Sequence, residues 1–285
     1  MDKISVISIA IAMISCLISV FTYLNSRNKE YVDKIDAWSN NFNNKLNKLL
    51  EFSGVNTVLT FKYEFSNTMV LKFNKKEDSE QYNEYVKKLV ERKDKLTSAY
   101  QEAVSIVNIS FNQKNQNQEM IGNLVGELFR KTDNHFSNIL TLNDIREKYF
   151  CELMSEKEIN SFLEKMFNNA KEVVLLHSII EKLKTNTVNT INLNMINNRN
   201  IMGFSTKKLL SMMVAHLDSF DEFKYYKSKD INELSENFKK WNADVDREIE
   251  LCKNEILNNL QFGKNEFQRS LDETYNIQRK TRVSR

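Results

Sequence analysis

INELSENFKKWNADVDREIELCKNEILNNLQFGKNEFQRSL, residues 231–271, is the stretch whose reading decides the fold class. Apolar or small residues recur along it at Ile231, Leu234, Phe238, Trp241, Val245, Ile249, Cys252, Ile256, Leu260, Gly263, Phe267 and Leu271, with charged and amide side chains between them. Eleven steps span 40 residues, a mean near 3.6, which is the period of a straight α-helix with little supercoil. The pattern predicts one helix over 230–277, and its stripe alone is about 60 Å long at ~1.5 Å per residue. A helix of that length outreaches a compact domain of this size. Either it lies along other long helices, at 79–107 and 155–184, in an elongated bundle, or part of its apolar face is covered by another copy or a different protein.

The rest of the chain supports the same class. Across 285 residues there is no proline, and only Gly54, Gly122, Gly126, Gly203 and Gly263 supply glycine, so little interrupts a helix or builds a phosphate-cradling loop. Hydrophobic residues make up 41%, enough for a buried core. Forty-one basic against 38 acidic side chains leave a net charge of +3, too small to steer a partner by the whole-molecule field. The expectation is an all-α protein.

Periodic segments precede the last helix. Tyr31, Ile35, Trp38, Phe42, Leu46 and Leu49 predict an amphipathic helix over 25–54 that stops at Ser53-Gly54. In TVLTFKYEFSNTMVLKF (57–73), Phe61, Tyr63 and Phe65 alternate with Lys62 and Glu64, the pattern of a small hairpin within 55–76. From 77 onward the reading is helical: 78–107, then 120–136 with Gly122 and Gly126 at close-packing spacing, then a short helix over 141–154. Ser155-Glu-Lys-Glu158 has the form of a capping box, opening a helix that runs to about 184. Residues 185–200 read as a connector or short strand, and 206–226 as a further helix.

The N-terminus differs in kind. Residues 4–24, ISVISIAIAMISCLISVFTYL, carry no charge and no proline, and 21 helical residues are about as long as a bilayer's hydrocarbon is thick. A cleavable signal would be shorter and more basic at its start, and a lipoprotein would turn polar after Cys16, whereas Leu17–Leu24 stay apolar. A retained single-pass transmembrane helix is expected. Only Lys3 precedes it, while Arg27, Lys29, Lys34, Lys45 and Lys48 follow, so residues 1–3 fall outside and the bulk of the chain lies in the cytoplasm at the cell membrane. There Cys16, Cys151 and Cys252 stay reduced. Within the span Ser5, Ser8, Ala12, Ser15, Ser19 and Thr22 form a seam of small residues in alternating steps of 3 and 4, which predicts self-association in the membrane.

Chemistry is sparse. His135, His177 and His216 have no metal-binding spacing, and no nucleotide-binding or nucleophile motif appears, so neither metal nor cofactor is expected and an enzyme is the less favoured reading. His177 and His216 read as core or boundary residues, and the Asp218, Asp221, Glu222 cluster as solvated surface. Arg130-Lys-Thr-Asp-Asn-His135 has an Arg-x4-His form that resembles the catalytic motif of HEPN ribonucleases. What that resemblance implies is His135 acting as acid or base on an RNA 2′-hydroxyl and Arg130 stabilising phosphate charge, in a site completed by dimerisation. The tail 278–285 adds Arg279, Lys280, Arg282 and Arg285, positioned for phosphates of nucleic acid or anionic lipid.

These features predict a membrane-tethered, self-associating helical interaction or assembly protein. Its partners would be the bilayer, other copies and a further protein. The alternative is a membrane-anchored effector directed at nucleic acid, in phage defence. The layout of one N-terminal span before a helical cytoplasmic body is similar to that of lactococcal abortive-infection proteins.

Overall fold

A computed structural model describes residues 3–54, 58, 76–109, 116–196 and 214–283; the side chains of 1–13, 187–196, 276–283 and a few further helical positions lie outside the description. The described residues form six helices and no strand: α1 (Lys3–Leu50), α2 (Lys76–Ile109), α3 (Gln116–Phe150), α4 (Glu156–Ile196), α5 (Asp221–Ser228) and α6 (Glu236–Val283), with a 3-10 turn at Leu217–Ser219 before α5. The all-α expectation holds among these residues. The hairpin expected over 55–76 lies outside them except at Val58, whose N–H donates to Gly54 O in a helical bond, and at Lys76, which opens α2.

Cross-helix pairs define the topology. Lys48 reaches Glu102 and Lys45 reaches Ser105, so α1 and α2 are antiparallel. Lys93 pairs with Asp133 while Tyr100 stacks on Phe129, which sets α2 antiparallel to α3. The α3–α4 turn is a helical corner: Leu153 N–H bonds Lys148 O and Glu152 N–H bonds Tyr149 O, with Glu152 at φ 59° in the left-handed cap position. The expected capping box then starts α4, since Ser155 N–H donates to Glu158 Oε2 at 2.8 Å and Glu158 N–H to Ser155 Oγ at 3.3 Å. Along α6, Asp246, Lys253 and Gln261 meet Lys171, Glu164 and Glu156, an antiparallel seam on α4.

One core joins all six helices. Phe42, Leu46 and Leu49 of α1, Leu89 and Leu96 of α2, Leu128 and Leu142 of α3, Leu163 and Ile179 of α4, Phe223 of α5 and Ile256 of α6 are buried together. Burial of apolar area at about 25 cal/mol per Å² is the principal stabilising term for such a bundle.

Four boundaries differ from the sequence expectation. The segments 120–136 and 141–154 are one helix, because Ser137 and Thr141 hydroxyls donate to Asp133 O and Ser137 O, and Ile139 and Leu142 carry the buried stripe across the polar gap. Helix α4 runs on to Ile196 through 185–196, where Thr185 Oγ1 bonds Glu181 O and no glycine or proline interrupts. The helix expected over 206–226 breaks, with His216 O accepting from both Ser219 N–H and Ser219 Oγ before Phe220 turns extended and α5 begins. Helix α6 starts at Glu236 rather than 230, because Asp230 caps Asn232 N–H in a turn while Ser235 Oγ accepts from Phe238 N–H as the actual N-cap. The Gly122–Gly126 pair marks no tight approach: a Cβ on Gly122 would meet nothing within 4 Å, and one on Gly126 only Tyr100 Oη at 3.7 Å.

Two helices outrun the bundle. Asn47 of α1 meets Lys184 of α4, and from those points α1 continues outward for 33 residues to Ile14, about 50 Å, while α4 has 12 residues left, about 18 Å. At the other end α6 passes the α3–α4 corner, where Phe267 packs on Phe150 and Gln268 donates to Phe150 O, and runs 15 more residues to Val283, about 22 Å. The overhangs leave from opposite ends of α4.

Candidate functional site

The outer end of α1 is the feature that most needs a partner. It is continuous with the inner half, so the amphipathic stretch extends the apolar one in a single helix. Over 14–27 every residue is exposed, including Ile14 at 56%, Leu17 at 69%, Ile18 at 61% and Phe21 at 67%. Such a run of bare apolar surface is unfavourable in water and marks contact with lipid or protein. Ser15, Ser19 and Thr22 of the small-residue seam are exposed in it, whereas the side chains of Ser5, Ser8 and Ala12 lie outside the described residues. Among the described residues no helix is long and apolar enough to cross a membrane; those residues include only 14–24 of the apolar run with side chains.

At the inner end of α1 two histidines grip the following turn. Ser53 is fully buried; its hydroxyl donates to Leu50 O at 3.3 Å and accepts from His177 Nδ1 at 3.0 Å, which places the proton of that ring on Nδ1. Five residues on, buried Val58 offers its carbonyl to His135 Nε2 at 3.1 Å, so that ring carries its proton on Nε2. Burial lowers the His135 pKa from 6.5 to about 4, with the Val58 bond opposing weakly, and burial lowers that of His177 as well. Both rings are therefore neutral clasps from α3 and α4 that hold the α1 turn in the core. The sequence marks His177 as a core or boundary residue, which fits this place, while His216 is exposed before the 3-10 turn.

Arg130 and His135 do not share a surface. His135 points into the core at 2% exposure, while Arg130 lies outside on α3, bound through Nε and Nη2 to Glu127, whose carboxylate raises its pKa. A ring held at Val58 and desolvated to this degree is poorly placed to exchange protons with a substrate. Of the tail, Arg279, Lys280 and Arg282 fall within α6 with their side chains outside the description, and Arg285 lies beyond the described residues. Cys16, Cys151 and Cys252 form no disulfide with one another, and Cys252 is buried. Among the described residues no group of three or more His, Cys, Asp or Glu side chains is placed to hold a metal ion.

The acidic cluster is corrected in part. Asp218 is exposed, but Glu222 is buried, receiving Lys182 Nζ at 2.7 Å and so fastening α5 to α4. Asp221 accepts from Ser235 N–H at 3.2 Å, which ties α5 to the entry of α6, and the Ser235 side chain first, with its N–H adding to it, lowers the Asp221 pKa. Counting charges along one helix does not reveal that its flank faces another element. Arg146, fully buried in α3, is likewise a residue that no sequence motif singles out. No family model, curated protein or solved structure matches the chain.

Proposed function

We propose that the protein is a membrane-tethered, self-associating helical assembly module whose body lies on the cytoplasmic side. One observation carries the reading: α1 is a single helix whose inner half is locked in the bundle by Phe42, Leu46 and Leu49 and whose outer half presents only exposed side chains over 14–27. A rigid connection of that kind transmits the position of an anchor to the body without a flexible linker. Residues 4–24 would cross the bilayer, with the basic residues from Arg27 onward on the inner side. The small-residue seam through Ser8, Ser15 and Thr22 would pair spans of neighbouring copies. The overhang of α6, at the opposite end of α4, would then present Leu271 and Tyr275, exposed at 38% and 70%, away from the membrane to a protein partner. Arg130 engaged by Glu127 and His135 engaged in the core favour this reading over a ribonuclease.

The test is fractionation of cells expressing the full chain or an Ile18→Lys, Phe21→Lys variant. The intact chain is expected in membranes after an alkaline carbonate wash and shielded from protease outside intact cells, with the variant shifted to the soluble fraction. Soluble full-length protein, or digestion of the body in intact cells, sinks the proposal. Crosslinking Ser8→Leu, Ser15→Leu against the parent checks the seam, which fails if both give the same oligomers.

A further inference from the structure

A polar cleft between α3 and α4, of about 410 Å³, is used by none of the functions above. Its walls come from one face of each helix: Asn134 and Asn138 stand one turn apart on α3, facing Lys165, Asn168 and Asn169 on α4. Lys131 and Glu172 close it with an ion pair, and Lys229 approaches the same carboxylate at 3.6 Å. Asn169 is set in place by donating its amide to Lys131 O at 2.8 Å, which leaves its Oδ1 as an acceptor. Asn134, Lys165 and Asn168 are exposed along it and Asn138 is partly buried, and none of these four is held by an ion pair or hydrogen bond to another described residue, unlike Lys131, so their polar ends are open to solvent or to a ligand.

The chemistry of this lining selects its ligand. Each amide offers a donor and an acceptor, the pattern that matches vicinal hydroxyls, and the one uncommitted cation matches a single phosphate. Among the described residues no aromatic or aliphatic side chain lines the cleft, so they offer no platform on which a nucleobase or other planar ring would stack. Its volume suits a small molecule or one residue of a polymer.

We propose that the α3–α4 cleft binds a phosphorylated sugar, Lys165 taking the phosphate and the amides of Asn134, Asn138 and Asn168 taking the hydroxyls. The ligand is either a free sugar phosphate or the ribose phosphate of an RNA backbone, which present the same groups. The site is independent of where α1 is seated, so the proposal stands or falls separately from the tether.

Calorimetric titration of the full chain in detergent with ribose 5-phosphate, ribose, inorganic phosphate and a uridine decamer tests it. Saturable binding of ribose 5-phosphate, weaker for ribose and for phosphate alone, is the expected result. Binding of the decamer without the monosaccharide phosphate also supports the site and assigns its source to RNA. Lys165→Gln is expected to weaken the interaction about tenfold or more, as loss of a hydrogen bond to a charged group does. Asn134→Ala, Asn138→Ala is expected to weaken it while leaving the melting temperature unchanged, since these side chains hold no other part of the protein. No binding of either phosphorylated probe, equal binding of inorganic phosphate and ribose 5-phosphate, or affinity unmoved by Lys165→Gln overturns the proposal.

Discussion

Helices α1 and α6 are each 48 residues long, and each is buried at one end and bare at the other, yet the bare ends differ. On α1 the overhang is apolar on every side over 14–24 apart from Ser15, Ser19 and Thr22. On α6 the residues past the corner keep an amphipathic pattern, Phe267 half-buried, Leu271 and Tyr275 exposed among Glu266, Arg269, Asp272 and Glu273. Length alone therefore says only that a helix leaves the bundle. What it meets is decided by whether its surface is hydrophobic all round, which water does not tolerate, or striped, which water tolerates on one side.

Core substitutions separate the two ends most sharply. Leu46→Ala on α1 and Ile256→Ala on α6, both at 1% exposure or less, are expected to lower unfolding free energy by about 2–5 kcal/mol each in urea titrations. Leu17→Ala, 29 residues away on the same helix as Leu46, should leave bundle unfolding unchanged and weaken membrane retention or oligomer formation instead. Equal destabilisation by Leu17→Ala and Leu46→Ala would erase the distinction.

The inner end of α1 should also be sensitive to acid. The folded-state pKa of His135 lies below the unfolded value, so the unfolded chain binds the extra proton. Stability is full above pH 6.5, declines as pH falls toward about 4, and is flat with respect to this group below that. The accumulated loss is on the order of 3 kcal/mol, and His177, also lowered, acts in the same direction. Urea midpoints measured between pH 7 and pH 4 should fall accordingly, and His135→Gln should flatten the slope. An unchanged slope in that variant would mean that the clasp at Val58 is not the titrating contact.

Smaller effects attend the α5 connection and the α6 overhang. Glu222→Gln removes the carboxylate that receives Lys182, but Lys182 is half-exposed and regains water, so a loss of about 1–3 kcal/mol is expected rather than that of a wholly buried pair. Tyr275→Ala on α6 should shift stability by less than about 0.5 kcal/mol, as exposed positions do. A larger shift from Tyr275→Ala would show that the α6 tip is covered in the isolated protein.

Periodicity made most of the core legible: Phe42, Leu46 and Leu49, or Val245, Ile249, Cys252, Ile256 and Leu260, are buried as their spacing predicts. The Ser155–Glu158 cap was legible too, because it closes within four residues. Joined helices across 137–141 and the late start of α6 were not, since serine, threonine and aspartate side chains bond the backbone equally well in a helix or in a turn. The Asn and Lys groups of the α3–α4 cleft are scattered among the sequence's many polar residues, and nothing local distinguishes them.

What the sequence determined by itself was the all-helical class, the apolar character of 4–24 and the excess length of the last helix, because each depends on composition or on a period along one segment. Only the tertiary structure decided which polar side chains turn inward. His135 and Arg130 are five residues apart on one helix, yet one is buried against Val58 and the other is held outside by Glu127. Glu222 and Asp218 are four apart across a break in helical structure, one buried against Lys182 and the other exposed. Burial is a property of what packs opposite a residue, and that partner lies 40 to 77 positions away in these contacts.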